Sequence, residues 1–250
     1  VSCTISFWRE TVTDVLAVAP HPDDIEIAAG GTIALLSGAK RTVVLLDLTR
    51  GERSTRGNPE LRAREAAAAA KALGATARES LELPDGGLDA RDPGQMRLLV
   101  EAIRRHRPRL VVAMHWNDDH PDHIEAGEMV RRAIYLARLR NYPAPGQAPH
   151  RTERTLFAMG RRPFRPGLVV DVTSTYPAKR LALEAFQSQF HREPDDPLVT
   201  PISDPEFLPR IEGRDRYFGG MIGATFGEPF FEIGPSAARG ATDLLGDEAR

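Results

Sequence analysis

Strand-like runs alternate with helix-patterned stretches through the first 140 positions, and few architectures accept that order. Asp14 to Ala19, Thr42 to Leu48 and Arg109 to Met114 are short and mostly apolar, and Arg78 to Leu83 reads as a further strand. Apolar runs of this kind are expected where a strand is covered on both faces. Between and after them, Ile25 to Ser37, Pro59 to Gly74, Gln95 to Arg105 and Ile124 to Leu139 read as helices. Ile25, Ala28, Ala29, Ile33 and Leu36 fall at helical spacing, and Pro59 stands at the first helical position it favours. The alanine block from Ala66 to Ala70 is a helix former that packs closely on a sheet. The expected fold class is α/β, a Rossmann-like, mostly parallel sheet with helices on both faces. Ligands of such sheets sit outside the carboxyl ends of the strands.

Polar clusters follow those strand ends. The first is Pro20-His21-Pro22-Asp23-Asp24 and the last is His120-Pro121-Asp122-His123; a loop at Thr49 to Asn58 and a turn at Pro84-Asp85-Gly86-Gly87 lie between them. Four clusters are thereby expected on one rim. His21 and Asp24, three positions apart around the rigid Pro22, can face one cation. An imidazole nitrogen and a carboxylate oxygen suit Zn²⁺, which in catalytic sites takes three protein ligands and keeps a place for water. The third ligand must come from the second motif, and His123 is the candidate. Asp23 is left over as a general base, and His120 as a group that stabilises an oxyanion and, if protonated, returns a proton to a leaving amine. Asp122 is expected to hold an imidazole in orientation. Gly30-Gly31 lacks the order of a dinucleotide fingerprint and is read as room for close packing of helix on sheet.

Composition narrows the classes. Against 33 basic residues stand 35 acidic ones, so nothing favours nucleic acid or an anionic membrane. The single cysteine, Cys3, rules out an internal disulfide and a thiolate metal site. No apolar run is long enough to span a bilayer. The opening residues, which start on Val1, lack the basic-then-apolar order of a signal peptide, so a cytoplasmic location is expected. After Asn141 the pattern loosens. Pro143, Pro145 and Pro149 mark a loop, Leu156 to Met159 and Leu168 to Val172 read as shorter strands, and Tyr176 to Phe190 reads as a helix. Pro194 to Pro209 is expected to be an exposed loop. One domain is expected over 1–250, with its core at 14–140, a less regular portion at 141–236 and a flexible tail at 237–250.

These residues resemble the LmbE-like or PIG-L-like zinc deacetylases. Ala19 to Asp24 with Glu26 and Gly30-Gly31-Thr32 looks like that family's first signature, and Asp47 to Glu52 like its second. Leu83-Pro84-Asp85-Gly86 and His120 to His123 resemble the others. Ser188-Gln189-Phe190, Arg216 to Gly219 and Gly227 to Phe230 are similar to the branch that deacetylates N-acetylglucosaminyl-malate in bacillithiol biosynthesis. The resemblance implies Zn²⁺ on His21, Asp24 and His123, with Fe²⁺ or Co²⁺ also compatible with such donors. It implies Asp23 as base and His120 at the tetrahedral intermediate. It also implies sugar contacts from Glu52, Arg62 and Asp85, a small sugar conjugate as partner, and a homo-oligomer such as a trimer or hexamer. Asp119 stands where many members of that branch carry arginine, and an aspartate repels a malate carboxylate. A related amidase with another N-acyl substrate, or a metal- or sugar-binding protein without turnover, are the alternative readings.

Overall fold

A computed structural model of the chain describes residues 13–192 and 196–233. Through the first half, strand and helix alternate: β1 (Val15–Ala19), α1 (Asp24–Gly38), β2 (Val43–Thr49), α2 (Pro59–Ala72), β3 (Ala77–Leu83), α3 (Pro93–His106), β4 (Leu110–Met114) and α4 (Pro121–Leu136). There follow β5 (Arg154–Ala158), β6 (Leu168–Asp171), α5 (Tyr176–Glu184), α6 (Gln187–Phe190), α7 (Phe207–Met221) and β7 (Gly227–Glu232). The strands form one seven-stranded sheet in the order β3-β2-β1-β4-β5-β7-β6. Pairing is parallel from β3 to β5, and β7 runs antiparallel to both its neighbours. From β1 the chain winds outward to β3 and then returns to β4 on the other side of β1. The crevice between the carboxyl ends of β1 and β4 is therefore the topological switch point of the sheet.

Strand β1 shows why both faces are dry. Val15, Ala17 and Ala19 join the core under α1, α2 and α5, whereas Leu16 and Val18 join the one under α3 and α4. The period of two sends successive side chains to opposite helix layers. Small residues on the α1 side let that helix lie close. Helix starts follow local chemistry: Asn58 and Asp92 each accept a backbone N–H of the first turn, and α2, α3 and α4 carry proline in theirs.

The four expected strands and four expected helices of the first 140 residues are all present, with ends shifted by a few positions. The C-terminal portion departs from expectation. The expected helix Tyr176 to Phe190 is two, interrupted at Ala185 and Phe186. The expected loop Pro194 to Pro209 contains the start of α7, which the sequence reading lacked, as it did β7. Pro209, Gly213, Gly219 and Gly220 disguise α7, yet proline is tolerated in a first turn. The expected tail lies outside the described residues, as do nearly all of the opening ones. Among the described residues, no helix is long and apolar enough to cross a membrane.

Gly127 sets how near α4 comes to the loop after β4. A Cβ there would lie 2.7 Å from the Trp116 backbone nitrogen and 2.8 Å from its Cα. Backbone cannot move aside as a flexible side chain can. Gly127→Ala is therefore expected to cost about 1–3 kcal/mol of stability, as overpacking does, read as a lower urea midpoint with unchanged slope. An unshifted midpoint would mean that α4 has room to slide.

Candidate active site

The turn from β1 into α1 carries His21, Asp23 and Asp24. Its backbone is unusual: Asp23, the N-cap of α1, has φ of 113°. That is the left-handed region, costly for a residue with a Cβ and least so for Asp or Asn. The loop from β4 into α4 carries Asp118 and His120, and the first turn of α4 carries Asp122 and His123. His120 is the N-cap of α4, its Nδ1 accepting the Asp122 N–H at 3.2 Å. The switch point thus brings the two motifs face to face.

Asp24 lies between two imidazoles. Its Oδ2 is 3.1 Å from His21 Nδ1 and its Oδ1 is 3.2 Å from His123 Nε2. The far nitrogen of each ring meets an outer carboxylate. His21 Nε2 lies 3.1 Å from Asp122 Oδ2 and 3.2 Å from Asp85 Oδ1. His123 Nδ1 lies 3.5 Å from Asp118 Oδ1, without a normal hydrogen bond. Protons on those outer nitrogens leave the lone pairs of His21 Nδ1 and His123 Nε2 aimed at Asp24, the arrangement metal-binding histidines use.

The donor set fits a divalent cation. One ligand atom from each of His21, Asp24 and His123 lies within 4.8 Å of the others. His21, His120 and Asp122 form a second such group. The first is the better cage, because both oxygens of Asp122 accept backbone N–H, from Gly86 at 2.7 Å and Leu88 at 3.3 Å, whereas Asp24 accepts one, from His21 at 3.0 Å, and keeps Oδ1 free of backbone. The electrostatics agree. Burial disfavours charge on His123, yet Asp24 and Asp118 lift its pKa to about 9. Burial likewise opposes charge on His21, but Asp122, Asp24 and Asp85 hold its pKa well above the usual imidazole value. Burial works against ionised Asp24 too, and the two imidazoles hold it well below the carboxylate range. Four carboxylates around two imidazoles make a negative cage that imidazole protons neutralise in part; a divalent cation can replace some of them.

Asp23 stands beside this cage. Burial pushes its carboxyl up to about 7, against the pull of the Arg62 guanidinium. Arg62 Nη2 donates to Asp23 Oδ2 at 3.0 Å and to the Pro22 carbonyl. Arg62 is buried, not an exposed arginine on a helix. Asp85 borders the same cavity and accepts the Arg53 N–H at 2.7 Å. Glu52 does not border it; its carboxylate accepts the Asp85 N–H at 2.8 Å and so holds that turn. Asp118 escaped the sequence reading, although it follows a strand end two residues before His120 and its type was a signal. Asp119 is exposed, pairs with Arg162 and does not border the cavity.

The cavity over these groups measures about 670 Å³. Its lining joins the polar groups of the cage to apolar side chains of Met114, Met159, Phe207, Ile211 and Phe218. Ser54, Thr55 and Gln189 add neutral hydrogen-bonding groups, and Arg53 and Arg161 charged ones. That volume can admit a polar ligand of more than one ring.

Residues 16–134 match the family described as GlcNAc-PI de-N-acetylase, PIG-L. Over 231 residues the chain is 31% identical to diacetylchitobiose deacetylase of Thermococcus kodakarensis, covering 87% of this chain and 82% of that one. It is 29% identical over 187 residues to "Probable N-acetyl-alpha-D-glucosaminyl L-malate deacetylase 2" of Bacillus cereus, covering 70% and 83%. The crystal structure of a conserved protein from Thermus thermophilus superposes with a TM-score of 0.82 at 38% identity, covering 90% of this chain and 97% of that one.

Proposed function

Because this chain belongs to the PIG-L/LmbE-like deacetylase family, we propose that it hydrolyses the N-acetyl group of an N-acetylglucosaminyl conjugate at a divalent cation held by His21, Asp24 and His123. The observation that carries this is Asp24 flanked by two imidazoles, each ring backed by an outer carboxylate. A cation there supplies Lewis-acid polarisation of the acetamide carbonyl and a nucleophilic water at neutral pH. Asp23, beside the cage and lifted toward neutral pH by burial, takes the proton of the attacking water. Arg62 orients the Asp23 carboxylate. His120 has Nδ1 engaged as an acceptor, so Nε2 carries the ring hydrogen and can donate to the developing oxyanion. In that neutral form the ring has no second proton to release. Asp23 therefore returns its proton to the departing amine, and acetate and the free amine leave.

The finer reading is the malate conjugate. Arg53 and Arg161 border the cavity, and neither side chain has a hydrogen-bond or ion-pair partner among the described residues. Asp119, the residue that speaks against a malate carboxylate, is neutralised by Arg162 outside the cavity. Arg56 cannot serve, being committed to the carbonyls of Ser188, His191 and Leu198.

One experiment tests both levels. The purified protein, loaded with Zn²⁺ or stripped by a chelator, is given the methyl and the malyl glycosides of N-acetylglucosamine. Equal amounts of acetate and free amine are expected from loaded protein only. The malyl glycoside is expected to have the higher kcat/KM by about tenfold, the scale of one charged hydrogen bond. No acetate at any metal loading would overturn the deacetylase reading. Equal turnover of the two glycosides would remove malate alone.

A further inference from the structure

Helix α1 is interrupted close to the cation cage. Ala29 has φ of −145° and ψ of 16°, outside helical values. An unbroken helix would pair the Gly31 N–H with the Ile27 carbonyl and the Thr32 N–H with the Ala28 carbonyl. Here the Gly31 and Thr32 N–H groups go to Glu228 instead, at 2.9 and 2.7 Å. The Ile27 carbonyl accepts from Arg214 Nη2 at 2.7 Å. At the break, a carboxylate accepts the N–H groups that begin the second part of α1 and a guanidinium donates to a carbonyl of the first.

Those two side chains belong to one chain of ion pairs. Lys179 Nζ donates to Glu228 Oε1 and to Asp215 Oδ2, both at 2.7 Å, and Arg214 donates to Asp215 Oδ1 at 2.9 Å. Lys179, Asp215 and Glu228 are fully buried, so their geometry is fixed by one another. Gly30 makes room for this: a Cβ there would lie 3.1 Å from Lys179 Cγ. The turn that holds Asp23 and Asp24 is thereby a short segment tied to the C-terminal portion rather than the plain start of a continuous helix.

We propose that Glu228, Lys179, Asp215 and Arg214 are positioning residues that set the turn carrying Asp23 and Asp24 against the β4–α4 loop. The proposal rests on the functional reading above for the role of that turn. None of the four is in the cation cage; they act through the break at Ala29. Loss of an outer partner of a ligand commonly weakens metal binding by about 10–100-fold, and a loosened ligand segment should act alike.

The test is the Zn²⁺ dissociation constant, measured by chelator competition without substrate, on wild type, Arg214→Met, Arg214→Lys and Glu228→Gln. Thermal melts run beside it. Arg214→Met and Glu228→Gln are expected to bind Zn²⁺ at least about tenfold more weakly while still folded at the assay temperature. Arg214→Lys, which keeps a cation able to reach Asp215 or the Ile27 carbonyl, is expected to recover part of the loss. Lower melting temperatures with wild-type Zn²⁺ affinity would make the network merely structural and overturn the proposal. Should Glu228→Gln not fold, the Arg214 pair decides, because that side chain borders the cavity. A wild type that binds no Zn²⁺ would overturn the functional reading as well, whereas unaltered variants of a Zn²⁺-binding wild type overturn this proposal alone.

Discussion

Asp23→Asn is expected to lower kcat by about 10²–10⁴-fold, the range general-base catalysis supplies, with Zn²⁺ content retained. Asparagine is the informative replacement for two reasons. The backbone at position 23 has φ of 113°, which Asn tolerates far better than most residues with a Cβ. An amide oxygen can also keep the hydrogen bond from Arg62, so the turn stays in place while the base is lost. The expected signature is a fall in kcat with little change in KM, because the proton transfer belongs to the transition state and not to substrate binding. Metal content measured on the same sample separates this from a damaged cage. Undiminished kcat in Asp23→Asn would transfer the role of base elsewhere, and Asp85, a cavity-lining carboxylate near His21 that is not assigned to the cation, would be examined first.

The sheet and the cage were legible in the sequence for the same reason. In a parallel α/β sheet, apolar runs mark the strands, and the residues just past their ends mark the rim. His21 and His123 are far apart in the chain, but both follow strand ends, and adjacency of β1 and β4 does the rest. Other features depend on meetings that no local pattern encodes. The ring nitrogens of His21 are served by three aspartates from three separate segments, and only Asp24 is near it in the chain. Arg62 reads locally as an ordinary helical arginine; its burial follows from the meeting of α2 with the turn after β1, where it donates to Pro22 and Asp23. Helix α7 was hidden because its proline and glycines oppose local propensity, and tertiary packing overrides a weak prior. Gly30-Gly31 reads locally as room for a helix to pack on the sheet; the close approach exists, but Gly30 meets Lys179 of α5 and Gly31 meets Val172 just past β6, so its partner is the C-terminal portion and not a strand.

Lys179→Met should be the most damaging single change to stability, by about 3–5 kcal/mol, the cost of removing one partner from a buried ion pair. Lys179 has no exposed surface, and neither have Asp215 and Glu228. Methionine fills the lysine's volume, so packing is nearly conserved and the loss reports on charge. Without the ammonium, Asp215 keeps Arg214 and Glu228 keeps the Gly31 and Thr32 N–H groups. Two carboxylates then have one partly buried cation, Arg214, where two cations had balanced them. Neutralising one should relieve that imbalance: Lys179→Met with Asp215→Asn is expected to be less destabilised than the sum of the two single changes, a coupling of about 0.5–3 kcal/mol. Urea unfolding of the four proteins at pH 7 with saturating Zn²⁺ measures both quantities. A loss under about 1 kcal/mol in Lys179→Met, or strict additivity in the double variant, would mean that water or a shift of α5 relieves the two acids. The ion-pair chain would then be too soft to hold a helix break in place, and its hold on the turn before α1 would go with it.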